Sequence, residues 1–172
     1  MGIDIFLFEY IFNLTGNYWV DFLGHFFAKF LPYALIIILI LFSIKDRVFY
    51  SKIVLHSIIL GFLVRYLILS IIEYFIPRNR PFMVYGFDPL IPREPSPSFP
   101  SAHAAFFFLI STIIFFKNKK LGFFLYFSSF LISLSRIYTG VHWPSDVFTG
   151  ALIGVIVGLI YQKAVLYFDE RN

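Results

Sequence analysis

Two short stretches of this chain carry side chains that could do chemistry, and a third precedes them. One is Pro100-Ser101-Ala102-His103, and another runs from Ser135-Arg136 through Ile137-Tyr138-Thr139-Gly140-Val141 to His142-Trp143-Pro144-Ser145-Asp146. Upstream stands Arg78-Asn79-Arg80-Pro81. Together they supply two histidines, a carboxylate, three arginines and the hydroxyl of Ser101, each at or near the end of a long apolar run. Arginine clamps phosphate through its planar fork of donors. One histidine can attack phosphorus and the other can protonate a leaving oxygen. The inventory suits phosphoryl transfer at a membrane surface.

In the Pro100–His103 stretch, proline closes a loop and Ser101 is placed to cap the N-terminus of the helix that follows. His103 then falls in its first turn. Free backbone N–H groups and a partial positive charge make such a terminus a phosphate site. The plain alternative is a capped helix with a histidine at the interface, and this motif alone does not choose. His142 and Asp146 are four residues apart. If a helix begins near Pro144, the carboxylate can reach back to the ring, fix its tautomer and leave the other nitrogen free to attack. The alternative is that Asp146 only satisfies backbone donors at a helix start.

These groups must be positioned by membrane helices. Hydrophobic residues are 59% of the 172 residues and charged residues only 14%, against roughly a quarter charged in soluble domains. Mean hydropathy is +0.82. No soluble core absorbs that much apolar surface, so the chain reads as one all-α polytopic membrane domain over 1–172, with its core at about 50–168. The net charge of +4 comes from scattered bases. Nucleic-acid binding needs a continuous basic face, and none is visible. There is no cysteine, so thiolate and disulfide chemistry are excluded. The N-terminus lacks a basic n-region, and Asp4 and Glu9 interrupt its apolar stretch, which argues against a cleaved signal peptide.

Residues 3–14 are too short for a ~30 Å hydrocarbon core and are expected to lie in the interface or re-enter it. Five spanning helices are expected at 18–43, 53–76, 102–116, 121–138 and 146–168. Pro32 is expected to kink the first. His25 and His56 read as structural, and Lys29 as a snorkelling side chain. Arg65 lies mid-span, where an ionisable group faces the bundle interior with a partner. The 77–100 stretch, dense in proline, reads as a long loop without regular structure. Gly150, Gly154 and Gly158 put small residues on one helix face, which suits close packing. By alternation, the 44–52 and 117–120 loops share one side, and the Arg80 loop and His142 turn share the other. The positive-inside rule places the lysine-rich loops, with Lys117, Lys119 and Lys120, in the cytoplasm. Arg78, Arg80, Arg93 and Arg136 lie on the opposite side.

The three motifs resemble the signature of the type 2 phosphatidic acid phosphatase superfamily, Lys-x6-Arg-Pro, Pro-Ser-Gly-His and Ser-Arg-x5-His-x3-Asp. Ser135, Arg136, His142 and Asp146 match the third in full. Pro100, Ser101 and His103 match the second, with Ala102 in place of glycine. Arg80 and Pro81 match the first, but Glu73 occupies the lysine position. Arg78 is the candidate for the missing charge, and Glu73 is expected to pair with Arg78 or Arg65. The resemblance implies a metal-independent phosphatase without a cofactor. In it His142 becomes phosphorylated with help from Asp146, and His103 protonates the leaving group and later activates water. Arg80, Arg136, Ser101 and backbone N–H groups stabilise the charge on phosphorus, and Arg78, which the family pattern does not include, is expected to join them as a phosphate ligand. Small size, Arg-x-Arg-Pro-Phe at 78–82 and Ser-Phe-Pro-Ser-x-His at 98–103 resemble bacterial undecaprenyl-diphosphate phosphatases, which recycle the lipid carrier of cell-wall synthesis at the outer face of the cytoplasmic membrane. Phosphatidylglycerophosphate, phosphatidic acid and lipid A phosphatases are the alternatives within the family. A transporter or scaffold is the alternative outside it. The sequence carries no signal of oligomeric state.

Overall fold

A computed structural model of the chain describes residues 2–45, 50–92 and 95–169. Asp46 and Arg47 of the first polar loop, and Arg93, lie outside the described residues. Every regular element among the described residues is a helix, and none is a strand.

The chain starts with α1 (Gly2–Phe12). The first span combines α2 (Tyr18–His25), a π-helical turn (Phe26–Phe30) and α3 (Leu31–Lys45). The π turn ends just before Pro32, whose missing N–H withholds the usual bond from the carbonyl of Ala28 and loosens the preceding turn. The second span combines α4 (Tyr50–Leu63), a second π turn (Val64–Leu69) and α5 (Ser70–Phe75). Here the Ser70 hydroxyl donates to the Arg65 carbonyl at 3.3 Å. Then follow α6 (Pro81–Tyr85), α7 (Ala102–Lys117), α8 (Lys119–Tyr138) and α9 (Pro144–Asp169).

Four continuous helices are long and apolar enough to cross a membrane: Tyr18–Ile44, Lys52–Phe75, Lys119–Tyr138 and Pro144–Tyr167. The remaining expected span, α7, has 16 residues and measures ~24 Å at ~1.5 Å per residue. It is the most enclosed helix: Ala105, Leu109, Ile113 and Ile114 are fully buried, with α4, α8 and α9 packed around it. A helix wrapped by other helices need not match the bilayer thickness itself.

In lipid, helix association depends on close van der Waals packing, because the tails are as apolar as leucine. The glycine face of α9 supplies it. A Cβ at Gly150 would lie 2.3 Å from the Ser101 carbonyl oxygen, and one at Gly154 2.3 Å from that of Ala105. The packing expected of these glycines is therefore present, and it brings the start of α9 against the start of α7. Between α7 and α8, Ser111 and Ser129 share a hydrogen bond of 3.0 Å, and Thr112 and Tyr126 one of 2.7 Å.

One expectation needs correction. The loop after α5 contains a helical turn, α6, with Pro81 at its first position and Gly86 closing it at φ +70°. Proline is preorganised for a helix start, and glycine accepts the left-handed closing residue. Proline density concealed a helix too short to show periodicity.

Candidate active site

The loop before α9 turns tightly. The carbonyl oxygen of Arg136 accepts from the N–H groups of Val141 and His142, both at 3.2 Å. Gly140 takes φ +81° there, with Phe87 packed where a side chain would go. His142 is thereby fixed beside the end of α8. Asp146 lies in the first turn of α9 and its Oδ2 accepts from the Trp143 N–H at 2.8 Å. This is the carboxylate half of a capping box. The same oxygen lies 3.5 Å from His142 Nδ1. Asp146 therefore does both things the sequence left open: it caps the helix and it faces the ring.

Arg80 is almost wholly buried, at 2% exposure. Its guanidinium donates to the carbonyl oxygens of Ser96, Pro97 and Val141 at 3.0, 2.8 and 2.7 Å, and to Ser96 Oγ at 3.3 Å. Its Nη1 also lies 3.2 Å from His142 Nε2. Guanidinium nitrogens only donate, so a hydrogen bond at this contact has Nε2 as its acceptor, and the tautomer that fits carries its proton on Nδ1, the nitrogen facing Asp146.

Arg78 is bound from two sides. Nη1 donates to Asp146 Oδ1 at 2.9 Å and Ser145 Oγ at 2.6 Å, and Nη2 pairs with Asp4. The guanidinium also stacks 5.0 Å from the Trp143 ring. Asp4 in turn accepts from the backbone and side chain of Ser145, each at 2.8 Å. Burial raises the Asp4 pKa, but the hydrogen bonds from Arg78 and Ser145 outweigh it and hold the carboxyl below its ordinary value. The Asp4–Arg78–Asp146 chain crosses from α1 to α9 through the loop. Sequence spacing could not reveal it, because the partners are 74 and 68 residues apart. Phe8, buried against Trp143 at a centroid distance of 5.2 Å, holds α1 in place. Trp143 Nε1 donates to the Asn79 carbonyl at 2.8 Å, and Ser98 donates from its backbone to the Arg78 carbonyl at 2.8 Å. Ser96, Ser98 and Trp143 join the site without having been singled out in the sequence.

Ser101 caps α7 as expected, accepting from Ala104 N–H at 3.5 Å, and its own N–H donates to the Asp146 carbonyl at 2.9 Å. His103 follows in the first turn of α7. His103 and Arg136 line an open cleft of about 570 Å³ with Ala28, Lys29, Arg65, Phe106 and others. Ile91 and Pro92 of the long loop line it as well. Toward the outside it is walled by Tyr33 and Phe62, which are largely exposed on the apolar flank of the bundle. Glu73 pairs with Arg65 at 3.0 Å, one of the two partners expected. His56 shares a 3.0 Å hydrogen bond with the Tyr161 hydroxyl, which suits a structural role.

The arrangement thus joins a histidine of defined tautomer, a carboxylate behind it and a buried arginine before it. Backbone bonds tie them to the helix ends that carry Arg136 and Ser101. Comparison with known proteins gives the same direction. Residues 53–169 match the PAP2 superfamily. The chain belongs to that superfamily. It is 35% identical over 105 residues to undecaprenyl-diphosphatase BcrC of Bacillus subtilis, covering 61% of this chain and 52% of that protein. It is 33% identical over 141 residues to the bacitracin transport permease protein BcrC of Bacillus licheniformis, covering 81% and 67%. The matches thus span about half to two thirds of these relatives' length. The crystal structure of Aquifex aeolicus LpxE superposes with a TM-score of 0.77 at 32% identity, covering 94% of this chain and 95% of that one. A multi-span membrane protein of PAP2 fold is therefore in hand.

Proposed function

We propose that this chain is a membrane lipid phosphatase that hydrolyses polyprenyl diphosphate, of which undecaprenyl diphosphate is the bacterial case, to the monophosphate through a phosphohistidine. The observation that carries the reading is the His142 environment: Nε2 turned to Arg80 and Nδ1 to Asp146. With the proton on Nδ1, Nε2 keeps a lone pair, and it attacks phosphorus once the arriving phosphate takes its place as the acceptor of Arg80 Nη1. In the proposed reaction, His142 Nε2 attacks the terminal phosphorus as its bond to the bridging oxygen breaks. His103 gives that oxygen its proton. Arg80 and Arg136 balance the charge that develops on the phosphoryl oxygens, and Ser101 holds the helix start beside them. Water, losing a proton to His103, then attacks the phosphohistidine and releases inorganic phosphate. Arg78 acts at one remove, orienting Asp146.

No metal or cofactor takes part in this scheme. The substrate class is supported by the undecaprenyl-diphosphatases of Bacillus subtilis and Sulfolobus acidocaldarius among the relatives. A second reading, lipid A phosphatase, is favoured by the 38% identity over 65 residues to lipid A 4'-phosphatase of Bacteroides thetaiotaomicron. The location proposed is the cytoplasmic membrane, with the site on its outer face.

The test is rapid quenching with substrate labelled in the terminal phosphate, with EDTA present. Acid-labile label should appear on His142 and be absent from His142→Ala, and turnover should survive the chelator. Label on His103, or normal turnover with no label, overturns the mechanism. A panel of polyprenyl diphosphate, phosphatidic acid, phosphatidylglycerophosphate and lipid A ranks the substrates.

A further inference from the structure

The cleft carries more positive charge than one transferred phosphate requires. Besides His103 and Arg136, it is lined by Lys29 and Arg65, from two other helices. Both of these cations sit in the π-helical turns, Phe26–Phe30 and Val64–Leu69. A π turn shifts side chains out of α-helical register and recurs at functional sites. Both also lie well inside apolar helices, Tyr18–Ile44 and Lys52–Phe75, where a cation is costly unless an anion meets it. One anion is built in: Glu73 accepts from Arg65 Nη1 at 3.0 Å. Among the described residues no carboxylate pairs with Lys29, whose ammonium lies 5.7 Å from the Phe30 ring centroid. Lys29, Arg65 and Glu73 together leave this edge of the cleft with one net positive charge.

We infer that Lys29 and Arg65 hold a second phosphate of the substrate, the one that is not transferred. The inference rests on the reading above, that a lipid phosphate enters this cleft. His103 and Arg136 face the phosphate that reacts; Lys29 and Arg65, on the helices opposite, face its neighbour. Glu73 positions Arg65 and offsets part of its charge. The edge thus attracts an anion without trapping the product, which still bears that phosphate. The site selects lipids with two phosphates over lipids with one.

Direct binding tests this without relying on turnover. Methylenediphosphonate, which cannot be hydrolysed, and inorganic phosphate are titrated calorimetrically into the full chain in detergent. The wild type should bind the diphosphonate at least tenfold more tightly. Lys29→Met, at an exposed position, should erase most of that advantage while phosphate affinity moves less than twofold. The double variant Arg65→Gln/Glu73→Gln removes cation and carboxylate together, so no unpaired half-buried charge complicates folding, and should act likewise. Equal wild-type affinity for the two probes, or equal loss of both in Lys29→Met, overturns the inference. Displacement of the bound diphosphonate by polyprenyl diphosphate identifies an anhydride as the source of the paired phosphates. Displacement by a glycolipid with two separate phosphates identifies esters, and displacement by neither counts against the site. Failure of the activity reading looks different: the binding advantage persists while polyprenyl diphosphate is not turned over.

Discussion

At the scale of single residues, the proposed reaction depends on one proton being in the right place. Asp146 faces His142 Nδ1 and also takes a hydrogen bond from Arg78. Asp146→Asn keeps the shape and the capping bond but removes the charge behind the ring. The expected result is a fall in the phosphorylation rate on the order of 10³- to 10⁴-fold, with KM little changed. Single-turnover kinetics will measure it, and a loss below tenfold would mean that the carboxylate is only a cap. His142, Asp146, Arg80 and Ser101 were all legible in the sequence, because their spacing is local or belongs to a recognisable motif. The surroundings of Arg78 were not. Its expected place was beside a phosphate, whereas both of its terminal nitrogens are engaged by Asp4, Ser145 and Asp146. Nothing local to Arg78 in the sequence signals a partner 74 residues away.

At the scale of elements, α1 is the unexpected participant. The sequence reads it as an interfacial helix, and it does stop at 11 residues. Its packing on the site is set by Phe8 and by Asp4, and neither follows from its own composition. Because folding lowers the Asp4 pKa, the ionised carboxylate contributes its full stabilisation above its unfolded pKa and loses it as pH falls through the lower folded value. Asp4→Asn is therefore expected to lower thermal stability and activity at neutral pH. The gap between variant and wild type should close in strong acid. Melting in detergent across pH checks this, and a gap that widens toward acid would contradict it. The long spans were legible because their apolar runs exceed what a ~30 Å core needs. The π turns were not, since a one-residue widening barely alters a uniformly apolar pattern; Pro32 hinted only at the first.

At the scale of the whole molecule, the site occupies one end of the bundle, and the junction of α7 and α8 at Asn118 lies at the other. The lysines around that junction predict a cytoplasmic location. The chain has no cysteine, so single cysteines report cleanly. In intact cells, a membrane-impermeant maleimide should label Asp88→Cys, at an exposed position of the loop after α6, and spare Asn118→Cys, with both labelled after lysis. The reverse pattern would turn the site inward. One further property follows from the cleft opening beside Tyr33 and Phe62 on the apolar flank. A lipid can slide its head in sideways and leave its tail among the other tails. Encounter is then a two-dimensional search, paced by how crowded the leaflet is with substrate and not by the amount in the tube. Diluting the substrate with inert detergent at constant total concentration should slow the protein, whereas lengthening the tail should scarcely matter.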